Sequence, residues 1–131
     1  MLVAPYTALV SLLALLVYLA LSINVSRARR RFGVAVPAVA GHAEFERYIR
    51  VQQNTLEQIV LFLPSLWLFA LTVGDVWAAL IGLIWPIGRI LYARGYYQAP
   101  ANRAPGFIMT VVPSIVLLVG ALIGVLGQTL F

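Results

Sequence analysis

The chain has 131 residues, 63% of them hydrophobic and 10% charged, with a mean hydropathy of +0.98. Soluble domains carry about a quarter charged residues, so this balance excludes one and indicates a small integral membrane protein. Nine Arg, no Lys and four acids give +5, and the arginines fall between apolar runs, which favours a membrane surface over nucleic acid. The absence of cysteine excludes disulfides, a thiolate metal site and a cysteine nucleophile, and the single His42 gives no basis for a His-rich metal site.

Residues 1–26 hold no charged side chain and include SLLALLVYLALSINV, long enough to cross a hydrocarbon core of about 30 Å as a helix. A signal peptide would place basic residues before the apolar run, whereas Arg27, Arg29, Arg30 and Arg31 follow it. The first span is therefore expected over about 3–26, with its N-terminus outside and its arginine end in the cytoplasm. FGVAVPAVAGH, with Pro37 and two glycines, reads as a surface loop.

A second helix is expected over about 44–73, opened by acids that suit a helix N-terminus, with Pro64 as a kink. Its length of about 45 Å exceeds the bilayer core, so its first turns belong in the interface. Gly74 and Asp75 form a reversal, and a third span is expected over about 76–96, kinked at Pro86. QAPANRAP is a loop containing Arg103, and a fourth, uncharged span runs over about 106–130, with GALIG offering small residues for close packing. All nine Arg then lie on one side. The expected architecture is an all-α bundle of four transmembrane helices, one domain over 1–131, with both termini on the non-cytoplasmic side.

Two groups of polar residues stand out. Arg50, Asn54 and Glu57 occupy i, i+4 and i+7, so on a helix they share an arc of roughly 60° over a rise of about 10 Å. A salt bridge would account for Arg50 and Glu57. A zwitterionic ligand accounts for them better, because its carboxylate suits the Arg and its ammonium suits an acid placed deeper in the membrane. Arg89, Tyr92 and Tyr96 lie at i, i+3 and i+7 at the cytoplasmic end of the third span, followed by Arg103. They read either as interface anchors or as donors to a polar ligand. The Arg27–Arg31 cluster reads mainly as a lipid-headgroup patch, and His42 and Asp75 as loop residues.

The stretch FERYIRVQQNTLE resembles the signature of the MAPEG family, the membrane-associated proteins in eicosanoid and glutathione metabolism. RILYARGYYQAPANR resembles that family's third helix and following loop. The resemblance covers essentially the whole chain and is of the microsomal glutathione S-transferase-like, bacterial type. It implies a homotrimer in the bacterial inner membrane, with glutathione as cosubstrate in a cytoplasm-facing cleft between subunits and no metal. By this resemblance Arg50, Gln52, Asn54 and Glu57 on the second helix, Tyr92 and Tyr96 on the third, and Arg29 from a neighbouring subunit bind glutathione. By the same resemblance Arg103 is the arginine that stabilises the glutathione thiolate. Gln58 stands where the family often has an aromatic residue, and Val51 where it has alanine.

The function so implied is a membrane-bound glutathione transferase attacking a lipophilic electrophile, with lipid hydroperoxide reduction as a related activity. Three alternatives stay open on the sequence: a glutathione-dependent isomerase, a non-catalytic lipid-binding member, and a small four-helix transporter using Glu57. The expected partners are glutathione, a lipophilic small molecule, membrane lipids and two further copies of the chain, with no nucleic acid.

Overall fold

The computed structural model describes residues 1–131 as helices joined by short connections. In order these are α1 (Pro5–Phe32), α2 (Ala43–Thr72), α3 (Asp75–Gly82), α4 (Ile84–Gln98), a 3₁₀ turn (Pro100–Arg103) and α5 (Ala104–Leu130). With α3 and α4 read as one broken helix, the chain has four helical segments long and apolar enough to cross a membrane. Large apolar side chains such as Leu12, Leu16, Leu19 and Ile123 remain exposed around the bundle. Lipid tails solvate those side chains as well as a protein core would, so the helices are held by close packing and buried hydrogen bonds instead.

The first helix shows this directly. Its buried residues Thr7, Ala14, Leu21 and Ala28 recur every seven residues, with Val10 and Ser11 beside them, so α1 touches the bundle along one narrow seam. Two turns beyond the expected end at 26, α1 continues through Arg27–Arg31 to Phe32 and stops at Gly33 in the left-handed conformation (φ 66°). The charges mark where hydrocarbon ends, not where the helix ends. Basic residues in a last turn favour the helix dipole, and glycine adopts the capping geometry at little cost.

α2 runs through Pro64 without interruption and supplies the largest share of the core, with Ile59, Phe62, Leu66, Phe69 and Ala70 packed on Ala14, Trp85, Leu117 and Ala121. Phe62 and the fully buried Trp85 stack with centroids 4.7 Å apart. Trp67 Nε1 donates to Ser11 Oγ at 2.9 Å and ties α2 to α1. The third span is interrupted at Leu83, three residues before Pro86. Proline has no N–H to offer the carbonyl one turn back, and its ring crowds that turn.

At one end of the bundle, Asp75 accepts from the N–H groups of Tyr6 (3.2 Å) and Thr7 (2.8 Å), and Gln128 reaches Thr72 O at 3.5 Å. Both termini therefore lie beside the α2–α3 turn. Asp75, read from sequence as a loop residue, is the first residue of α3 and caps α1 from 68 positions away. The connections carrying the arginines gather at the other end.

Glycines set the closest approaches. Gly120 and Gly124 of the GALIG segment lie against Phe69 and Thr72 of α2. At the arginine-bearing end, a Cβ on Gly106 would overlap the Tyr92 backbone and stand 2.8 Å from Gly88 O. The start of α5 is thus seated directly on α4. Gly106→Ala is expected to force these helices apart, lowering stability by roughly 1–3 kcal/mol as overpacking does. Thermal unfolding in detergent reads the effect, and an unchanged midpoint would show that α4 and α5 can shift freely.

Candidate functional site

The arginine-bearing end is assembled by three local devices. α2 begins with His42 as its N-cap, the ring Nδ1 accepting from Glu44 N–H at 3.2 Å while the ring stacks on Phe32. Arg47 then reaches across to α4, donating to the carbonyls of Tyr97 (3.2 Å) and Gln98 (2.9 Å), the unpaired acceptors at that helix's end. Finally, Gly95 lets the backbone carbonyl of Asn102 lie where a Cβ would stand, so the Pro100–Arg103 turn folds back over α4. Arg103 Nη1 donates to Pro100 O at 2.7 Å, which leaves its other N–H groups free for a ligand.

These devices converge on one cleft of about 570 Å³. Arg50 and Asn54 enter it from α2, Tyr92 and Tyr96 from α4, and Arg103 from the turn, while Phe107 and Ile108 of α5 form an apolar wall. The two tyrosine rings lie 5.7 Å apart and tilted by 54°. No carboxylate lines the cleft, whereas two guanidinium groups and the N-terminal end of α5 do. The donor set therefore suits a polar ligand carrying negative charge, with an apolar region beside it.

Arg89 behaves differently from its sequence reading. It does not line the cleft with Tyr92 and Tyr96 but is fully buried in the bundle. Its Nη1 donates to Asn54 Oδ1 (2.9 Å) and Thr55 Oγ1 (3.2 Å), and its Nη2 to Thr110 Oγ1 (3.1 Å). The guanidinium carbon also sits 4.0 Å from the Tyr92 ring centroid, and its Nε has no partner. Asn54 thus has its oxygen committed inward, leaving its amide N–H groups as what it offers the cleft. A cation on a membrane helix is expensive, and here tertiary acceptors on α2 and α5, invisible in the local sequence, meet it.

The other sequence-chosen residues stand apart from this cleft within one chain. Arg29 donates to Ala38 O (2.6 Å) and Ala35 O (3.5 Å) and lies over the Phe45 ring, holding down the connection between α1 and α2. Gln52 donates to Tyr18 Oη of α1 at 3.2 Å. Glu57 is exposed on α2, deeper than Arg50 and Asn54. The structure therefore brings together Arg50, Asn54, Tyr92, Tyr96 and Arg103, and not Arg29, Gln52 or Glu57. Sequence reasoning missed Arg47 as the strut between α2 and α4 and Arg89 as the support of Asn54.

The MAPEG family model matches residues 7–123. An uncharacterized protein of Synechocystis is 51% identical over 123 residues, 94% of this chain and 90% of that protein. Microsomal glutathione S-transferase 2 of Homo sapiens is 37% identical over 102 residues, 77% of this chain and 69% of its own. Leukotriene C4 synthase of Rattus norvegicus is 38% identical over 96 residues, 73% of this chain and 64% of its own.

Proposed function

This chain belongs to the MAPEG family and is a multi-pass integral membrane protein, and from that premise we propose that it is a glutathione transferase acting on a lipophilic electrophile. The observation carrying this reading is the convergence of Arg50, Asn54, Tyr92, Tyr96 and Arg103 on one cleft. The name of one relative, a microsomal glutathione S-transferase, supplies the thiol. Glutathione has two carboxylates, one ammonium and a thiol, and the cleft's donors answer its negative groups.

In this reading Arg50 clamps a carboxylate, and the Asn54 amide and the phenols of Tyr92 and Tyr96 fix the peptide backbone. Arg103 faces the sulfur. A thiol of ordinary pKa about 8.5 is mostly protonated at neutral pH. A guanidinium beside it favours the thiolate, and each ten-fold gain of thiolate over thiol takes about 1.4 kcal/mol of that attraction. The thiol proton leaves to solvent, the sulfur bonds to the electrophilic carbon, and that carbon's leaving group or ring oxygen takes the displaced electron pair. A lipid hydroperoxide would present its terminal oxygen to the same sulfur, the O–O bond breaking to release the lipid alcohol and leave a sulfenic acid that a second glutathione converts to the disulfide and water. The wall of Phe107 and Ile108 is where an apolar acceptor would rest.

The cleft has no acid for the glutathione ammonium. Glu57 is exposed about 21 Å along α2 from its start, at a depth where a carboxylate needs a partner. A trimer in which a neighbouring copy adds Arg29 to the edge of the cleft, with Gln52 as a further polar contact from the second helix and Glu57 beside the bound amine, supplies that partner. The cleft faces the cytoplasm if the arginine-rich end obeys the positive-inside rule, and the inner membrane of a bacterium is the setting proposed, in keeping with the Synechocystis relative.

Glutathione at about one hundred times its dissociation constant is expected to stabilise the detergent-purified protein by about 2.7 kcal/mol. It should also support conjugation of a generic lipophilic electrophile. A melting temperature unmoved by millimolar glutathione would defeat the reading. Retained stabilisation with an isomerised, unconjugated product would redirect it to an isomerase.

A further inference from the structure

A second cleft lies on the opposite side of α4. Ile87, Ile90, Arg94 and Tyr97 line it, about half a helical turn from Tyr92 and Tyr96. With Leu13, Leu16, Ala20 and Leu21 of α1 they bound an apolar groove of about 480 Å³. The groove runs from Leu13 to Asn24 along α1, a rise of about 16 Å, which matches the depth of one leaflet of a hydrocarbon core about 30 Å thick.

Its end towards the arginines is not apolar. Asn24 and Tyr97 form its mouth, with Asn24 Nδ2 donating to Tyr97 Oη at 3.4 Å. The same two residues line an adjoining cleft of about 340 Å³ with Arg27, Arg31 and Tyr48. Tyr48 stacks on Tyr97 with centroids 4.2 Å apart, which gives the junction a rigid floor. Arg94 thus lines the groove, Arg27 and Arg31 line the adjoining cleft, and no carboxylate lines either.

From an apolar groove one leaflet deep that ends among three uncompensated guanidinium groups, we infer that this chain holds one anionic phospholipid at a discrete site. An acyl chain lies between α1 and α4, and its phosphate sits among Arg94, Arg27 and Arg31. Asn24 and Tyr97 meet the glycerol ester region, where hydrogen bonding begins and hydrocarbon ends. A zwitterionic lipid would bring its own cation to the same place and lose the charge complementarity. The site rests on different residues from the glutathione cleft and does not depend on that reading.

Native mass spectrometry of the delipidated protein, titrated with phosphatidylglycerol and with phosphatidylcholine of the same acyl chains, tests this. The expected result is one tightly retained phosphatidylglycerol per chain, at least ten-fold preferred over phosphatidylcholine. Arg94→Gln should reduce that preference several-fold, as should Ala20→Trp, which fills the exposed wall of the groove. Arg30→Gln removes an equal charge from the same helix end outside both clefts and should leave it unchanged. Equal retention of the two lipids, or equal loss in Arg94→Gln and Arg30→Gln, would overturn the proposal in favour of a diffuse basic surface. Displacement of the lipid by glycerol phosphate alone would overturn the acyl groove. The chain has no cysteine, so a Leu16→Cys variant that forms a disulfide with a second copy would show another protein chain seated there instead. Glutathione stabilisation should persist in all these variants, which separates this outcome from failure of the transferase reading.

Discussion

Arg103→Leu is expected to lose roughly 10- to 100-fold of glutathione-conjugating activity at neutral pH while glutathione still stabilises the protein. The reasoning starts from position. Arg103 stands immediately before α5, anchored by one N–H on Pro100 O, with the remainder of its guanidinium at the cleft. Arg50 remains in the variant, so carboxylate binding survives, whereas the charge assigned to the sulfur is gone. The thiol then returns towards its ordinary pKa of about 8.5, and only a few per cent of it is thiolate at pH 7.

The distinguishing measurement is the pH profile. The native protein should be nearly flat through neutrality, whereas the rate of Arg103→Leu should climb about ten-fold per pH unit until the thiol ionises by itself. Arg103→Lys should fall between them, since it keeps the charge but loses the planar fork. A variant with reduced activity but the native pH dependence would assign Arg103 to binding rather than to the sulfur.

The parts of this molecule legible in its sequence are those encoded by composition and short period. Four apolar runs, the Gly74–Asp75 reversal and the one-sided arginines settle the number of spans and which helix ends share a side. The cleft is partly legible because Arg50 with Asn54, and Tyr92 with Tyr96, each repeat at i+4 on one helix. Helix phase alone does not say which neighbour a face meets. It groups Arg89 with the two tyrosines, yet the acceptors that draw Arg89 inward are Thr55 and Thr110, 34 and 21 residues away. The same holds for Asp75 and for Arg47, whose partners lie on other helices. The end of α1 escapes the sequence for another reason: charge reports depth in the membrane, while helix termination is reported by Gly33, beyond the last of those charges.

Replacing Arg89 separates stability from function in a way the buried network makes specific. Arg89 carries a full charge with no acid beside it and an unpartnered Nε. A hydrophobic side chain of similar length often replaces a buried charge at no net cost, because desolvation is relieved as hydrogen bonds are lost. The hydroxyls it leaves keep their own donor bonds, Thr55 to Val51 O at 2.7 Å and Thr110 to Phe107 O at 2.7 Å, so neither becomes an orphan donor. Arg89→Met is therefore expected to change stability by no more than about 1 kcal/mol, whereas Arg89→Ala, which leaves a cavity under Tyr92, should cost roughly 3 kcal/mol. Both should weaken glutathione binding by at least ten-fold. Without Arg89 the Asn54 amide can turn its oxygen into the cleft, and the Tyr92 ring loses the cation that underlies it. Thermal unfolding of the ligand-free protein alongside a glutathione titration measures the two effects independently. Native affinity in Arg89→Met would mean that Asn54 is oriented by the cleft itself, and a collapse of both variants to the same low stability would mean that the charge holds α2, α4 and α5 together rather than setting the direction of a single amide.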